Sequence, residues 1–180
     1  MDKKEFNFHI AFFVATLVII FFFGTQYIIN IFFIEKPIEQ DIAKIKGVEE
    51  VSLENKKNQI NIEMTLNPNL DLYNTYDKIE KIAKEKVSKE NFIVKFVNKE
   101  NQFLEDIYHE MHYAIYEGIY TKKFVIMQER LEEIVRKHKI DNLNLWVDDK
   151  RVLLQLDHND KSYYKNIVIH SLGKEGGIIE

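Results

Sequence analysis

Apolar positions recur along this chain in three patterns, and each predicts a different kind of element. The first is an unbroken run. From Phe6 to Ile34 there is no Asp, Glu, Lys or Arg, and "HIAFFVATLVIIFFFGTQYIINIFFIEKP" meets its first charge at Glu35. Between Ile10 and Ile34, 17 residues are Ile, Phe, Val or Leu. At roughly -0.3 to -0.6 kcal/mol each, they favour membrane insertion by about 5–10 kcal/mol. A bilayer core takes about 20 apolar residues as a helix. A cleaved leader has a shorter core, about 7–15 residues, and small residues before its cut. A buried helix of a globular protein carries a polar stripe. The run therefore predicts a retained signal-anchor helix over 10–34, behind a short tail at 1–9. Gly24, Gln26 and Asn30 are the candidates for contact between helices in lipid, because small and polar residues serve that role.

The second pattern mixes periods of 3.6 and 2. Pro37 suits the first turn of a helix in which Ile38, Ile42 and Ile45 share one face, with Gly47 as its left-handed stop. Val51 and Leu53 alternate in "VEEVSLEN", a polar turn follows, and Ile60, Ile62, Met64 and Leu66 alternate strictly, as in a half-buried strand. Pro68 and its asparagines break the chain. Asp71 or Asn74 can cap a helix whose buried stripe is Leu72, Tyr76, Ile79, Ala83 and Val87. "NFIVKFVN" supplies a third strand. The unit 35–98 thus reads αββαβ, and its helices belong on one face of a small sheet. This order resembles the αββαβ modules of envelope and secretion assemblies, ring-building modules among them. The likeness is one of element order, and fold by itself does not give function.

The third pattern, over 99–172, is a helical pair followed by strands. Leu104, Ile107, Tyr108, Met111, Ile115 and Ile119 form the stripe of a long helix at about 101–118, with a break at Gly118 and Thr121. A second helix over about 122–138 turns Phe124, Leu131, Ile134, Val135 and His138 to one side. "NLNLWVDDKRVLLQLD" reads as a hairpin turning at Asp149–Lys150, and "SYYKNIVIH" reads as one more strand. The tail, 173–180, is expected to be loose. Both halves hold a hairpin behind a helix, which fits either a degenerate duplication or two halves of one sheet. The class is α+β.

Charge and composition narrow the function. The net charge is -4, and the first 34 residues contribute none of it. An acidic domain does not suit nucleic acid, which needs a basic face. The absence of cysteine removes disulfides, thiolate nucleophiles and cysteine metal sites. Lys3 and Lys4 stand on one side of the run, and Lys36, Lys44 and Lys46 on the other. A short leading tail favours a cytoplasmic start, so the domain is expected outside a plasma membrane.

Candidate chemistry is sparse. In "EDIYHEMHYAIY", Glu105, His109, His112 and Tyr116 follow helical spacing, but the histidines are three apart rather than the four of H-E-x-x-H. Glu105, His109 and His112 are thus weak metal candidates beside a reading as plain surface or a pH-responsive contact. "LDHND", Leu156 to Asp160, lacks the ligand count and glycine of a calcium loop and reads as a tight turn. "GKEGG" lacks the flanking strand and helix of a phosphate cradle. No serine sits in G-x-S-x-G. Trp146 points away from Leu145 and Val147, as a partner anchor or, preferentially, covered by the long helix. No catalytic residue and no cofactor are expected. The sequence predicts a single-pass membrane protein, not an enzyme. Its domain serves protein interaction or assembly at the envelope, through a partner protein or its own copies, with Tyr113, Tyr116, Tyr120 and Trp146 as contact candidates. The alternative is a tethered ligand, metal or pH sensor that uses the Glu105–His112 flank.

Overall fold

The computed structural model describes residues 8–30, 35–56, 59–86 and 92–169. Among these, the chain is α+β, with five helices and two three-stranded sheets. The first helix, α1, spans Phe8–Asn30 and carries no acidic or basic residue in its terminal turns. Its described side chains are those of His9 and residues 12–25. Large apolar side chains from Phe12 to Phe23 are all exposed, and Phe21 reaches 73%. Among the described residues, no helix is long and apolar enough to cross a membrane. The expected span over 10–34 is thus not found as drawn. The described helix runs to Asn30, residues 31–34 lie outside the described residues, and the run of described side chains stops at Thr25. The side chains of Gln26 and Asn30 lie outside them too. At Gly24 an added Cβ would meet nothing within 4 Å.

The αββαβ order is present. Helix α2 (Lys36–Ala43) has Pro37 in its first turn and buries Ile38 and Ile42. Gly47 then turns the chain at φ +101°, a backbone state that favours glycine. Strands β1 (Val48–Lys56) and β2 (Gln59–Leu66) are antiparallel. The even positions of β2 from Ile60 to Leu66 are buried, as their alternation requires. Asp71 Oδ1 accepts a hydrogen bond from the Asn74 amide at 3.0 Å, and so caps α3 (Leu72–Lys86). That helix buries Leu72, Tyr76, Ile79 and Ala83, while Val87 lies outside the described residues. The chain returns as β3 (Phe92–Phe96), parallel to β2. A parallel neighbour needs a crossover connection, and α3 is that crossover.

Asn101 caps α4 (Gln102–Thr121) through its side chain. The break expected at Gly118 does not occur there. The helix continues to a left-handed Lys122, and Gly118 is buried against α5 (Phe124–His138). A Cβ on Gly118 would lie 2.6 Å from Met127 Cβ, so glycine serves close approach rather than termination. Glu110 of α4 joins Lys137 and His138 of α5 at 2.6 and 2.7 Å.

Strands β4 (Asn142–Val147), β5 (Arg151–His158) and β6 (Lys161–Val168) form an antiparallel meander. The first unit contains a parallel pair and this one does not, so the two halves do not share a strand plan. Nor do they form one laddered sheet, since the strand orders are β1-β2-β3 and β4-β5-β6. Between β3 and β6, asparagine side chains do what a ladder would. Asn98 Oδ1 accepts from the Tyr164 amide at 2.7 Å and its Nδ2 donates to the Tyr164 carbonyl at 2.9 Å. Asn166 Nδ2 donates to the Val94 carbonyl at 2.9 Å.

Strand β5 is buried on both faces. Val152, Leu154 and Leu156 pack with α4 and α5, whereas Leu153 packs with the core of the first unit beside Tyr164 of β6. Arg151 reaches the same way. Its Nη2 lies 2.5 Å from Glu80 Oε1, Nη1 donates to the Tyr76 hydroxyl, and its guanidinium carbon sits 4.6 Å over the Tyr76 ring. Burial raises the carboxyl pKa of Glu80, but hydrogen bonds from Lys84 and Arg151 and the Arg151 charge override it and hold the pKa below the ordinary value.

Candidate functional site

Two surfaces of the folded part carry exposed aromatic or clustered polar side chains. The first is the outer side of the α4–α5 hairpin. Successive apolar residues on α4 face its partners, and this leaves Tyr113 and Tyr120 seven residues apart on the opposite side. Tyr113 is 81% exposed and Tyr120 73%. Val125 and Ile126, in the first turn of α5, are exposed as well. Tyr116 is half-buried, its ring 4.3 Å from that of His112. His112 also lies edge-on to Tyr108 and Tyr113. The Glu105–His109 pair is a loose surface contact at 3.9 Å. Among the described residues, no three His, Asp or Glu side chains come together as a metal-binding set. The structure therefore divides this flank. His112 sits among the rings of Tyr108, Tyr113 and Tyr116, whereas Glu105 and His109 are mostly exposed, the His109 ring lying 5.9 Å from that of Tyr108.

The second surface was not read from the sequence. A cleft of about 620 Å³ lies between the β2–α3 connection and the side of β4 and β5 that faces away from α4 and α5. The alternation of β4 puts Asn142, Asn144 and Trp146 on that side. Trp146 was expected under the long helix. It is half-buried against Tyr73 of α3 instead, with ring centroids 6.1 Å apart and planes at 24°. The reason is strand parity. Trp146 has the opposite parity to Leu145, and only the Leu145 side meets the helical pair.

The cleft floor is built around one hydrogen-bonded carboxylate. The buried Asp157 carboxylate accepts from Gln155 Nε2 at 2.9 and 3.1 Å, from Asn142 Nδ2 at 3.1 Å and from Ser162 Oγ at 2.5 Å. Gln155 is only 2% exposed, and its Oε1 has no hydrogen-bond partner. The wall opposite is tied down. The Asn69 amide donates to Ser162 Oγ at 2.9 Å, and the Tyr164 hydroxyl donates to the Asn67 carbonyl at 2.8 Å. Burial raises the pKa of that hydroxyl above the ordinary tyrosine value. Of the stretch Leu156 to Asp160, only Asn159 and Asp160, both left-handed, form the tight turn; Leu156, Asp157 and His158 belong to β5. Its Asp157, however, points inward as the centre of the floor. The available signal was the run "VLLQL": a strand apolar at consecutive positions is buried on both faces, so its polar Gln155 and Asp157 need partners.

The chain matches no protein-family model, and no curated protein or solved structure shows significant similarity to it. Fold and surface define an α+β protein that carries an uncharged helix ahead of its folded units.

Proposed function

We propose that this chain is a bitopic membrane protein whose α+β part is held at the bilayer surface and contacts another protein, or further copies of itself, through the Tyr113–Tyr120 ridge. The observation that carries this reading is α1. Ten large apolar side chains from Phe12 to Phe23 are exposed on consecutive turns, so the helix has no polar side to offer water. At about 1.5–3 kcal/mol each, leaving them in water would cost on the order of 15–30 kcal/mol. That exceeds the roughly 5–15 kcal/mol by which a domain is stable, so these side chains require cover. Lipid covers a helix on all sides. The 23 residues of α1 rise about 34 Å, against a hydrocarbon core of about 30 Å. The described side chains supply the middle of such a span, and Ile10, Ala11, Ile28 and Ile29 extend it in sequence. Support for the contact role is the ridge, where apolar and aromatic side chains stand exposed next to a well-packed helical pair. The -4 net charge speaks against nucleic acid as the partner.

The test is crosslinking in intact membranes, followed by affinity capture of the full chain. The protein should remain in the membrane pellet through an alkaline wash. It should yield a discrete crosslinked species that is lost in a Tyr113→Ala/Tyr120→Ala variant of equal abundance. Release into the supernatant by plain buffer would remove the anchor reading. An unchanged crosslinked species in the double variant would remove the ridge.

A further inference from the structure

We infer that the cleft between the Asn67–Asp71 connection and the polar side of β4–β5 binds a neutral saccharide, with Trp146 and Tyr73 against the sugar ring and carboxamides on its hydroxyls. The chemistry of the lining selects the ligand class. Its polar side chains are carboxamides and carboxylates, and it holds no Lys or Arg. A phosphate or other anion would find no Lys or Arg and would meet Asp71, Asp141, Asp157 and Asp160. A flat apolar ligand would have to strip water from those same groups without replacing its hydrogen bonds. A saccharide does replace them. Its hydroxyls both donate and accept, as do carboxamides, and its C–H faces are apolar enough to lie on aromatic rings.

The acids of the cleft are largely consumed by the protein itself, which disfavours a cationic ligand. Asp157 accepts from Gln155, Asn142 and Ser162. Asp71 accepts from the backbone and side chain of Asn74. Asp141 accepts from the Asn159 amide at 2.9 Å, with His158 Nδ1 3.6 Å away. What the lining adds is neutral: the carboxamides of Asn69 and Asn144 line the cleft, and beneath them the buried Gln155 Oε1 has no hydrogen-bond partner. That buried acceptor is independent of the acidic lining, and burying such a group unpaired is unfavourable unless something supplies the donor. The cleft is also preorganised. Ser162 and Tyr164 pin one wall, and Asp157 locks the floor, so a ligand would not have to pay to order it.

Trp146 is the sole tryptophan of the chain, so its emission reports on this cleft directly. The experiment titrates the full chain, in micelles of a phosphocholine detergent free of sugar, with chitotetraose, cellotetraose and maltotetraose separately. At least one should shift Trp146 emission saturably, with a dissociation constant of about 1 mM or below. Asn144→Ala should weaken that binding about tenfold with an unchanged circular dichroism spectrum. Tyr73→Ala, followed by equilibrium dialysis of the same sugar, should weaken it as well, and Tyr120→Ala should leave it unchanged. No saturable response to any of the three up to about 10 mM overturns the inference. So does wild-type affinity in both Asn144→Ala and Tyr73→Ala. A saturable response to tetralysine without one to the sugars overturns it too, and would show that the carboxylates set the ligand class.

Discussion

At Gly118 the side chain that is missing decides how two helices meet. A glycine in a helical pattern costs about 1 kcal/mol relative to alanine, so an end of the helix is the natural reading of the sequence. The structure spends that cost on proximity, because Met127 occupies the space a Cβ would need. Gly118→Ala should therefore destabilise by about 1–3 kcal/mol despite its better helix propensity, as measured by the urea midpoint. A gain in stability would show that α4 and α5 are not in close register here. Other single residues were plain from spacing alone. Ile38, Ile42, Ile62, Met64, Leu72 and Ile79 are buried where their periodicity put them. The partners of Asp157 and Gln155 were not: Ser162 and Asn142 lie 5 and 15 residues away from Asp157 and meet it only through strand register, and the facing wall at Asn69–Tyr73 comes from the first unit.

At the scale of elements, the notable junction is the one between β3 and β6. Two edge strands approach without a main-chain ladder, and Asn98 and Asn166 bridge them. An unpaired edge invites foreign strands, and bridging it from side chains covers it. Asn98 holds both the amide and the carbonyl of Tyr164, so Asn98→Ala orphans two backbone groups at once. The expected loss is about 1–3 kcal/mol in urea unfolding, with faster amide exchange at Tyr164. If Tyr164 exchange is unaltered, the bridge is not what closes this edge. The individual strands were legible from alternation. That β3 would lie parallel to β2 while β4, β5 and β6 form a meander follows from the length of their connections: α3 is long enough for a crossover, and the turns at Asp148–Lys150 and Asn159–Asp160 are not.

The whole molecule should be least stable at the extremes of pH, and the contacts between helices and units say why. Hydrogen bonds from Lys44 and Lys86 depress the Asp41 carboxyl to about 2, and Glu80 is held below its ordinary value as described. A depressed acid stabilises the fold above its unfolded pKa, near 3.8 for Asp41, and that contribution is lost as pH falls through the folded value. Burial raises the Tyr76 hydroxyl to about 12 against the opposing charge of Arg151. A raised group stabilises below its unfolded pKa, near 10.0, and loses that contribution as pH rises towards about 12. The urea midpoint should thus fall on both limbs. Glu80→Gln should flatten the acid limb, and Tyr76→Phe the alkaline one. Identical limbs in the variants would show that these groups do not couple the units to pH.

The sequence by itself determined the α+β class, the αββαβ order, the helix stripes and the uncharged leading helix. These are local: hydrophobic period, capping residues and turn chemistry act within a few positions of each other. Only the tertiary structure decided which face of β4 and β5 meets the helical pair, and so that Trp146, Asn144 and Asp157 share a cleft with Tyr73. Strand parity fixes that a side chain points to one face or the other, but which face is covered depends on elements folded from distant parts of the chain.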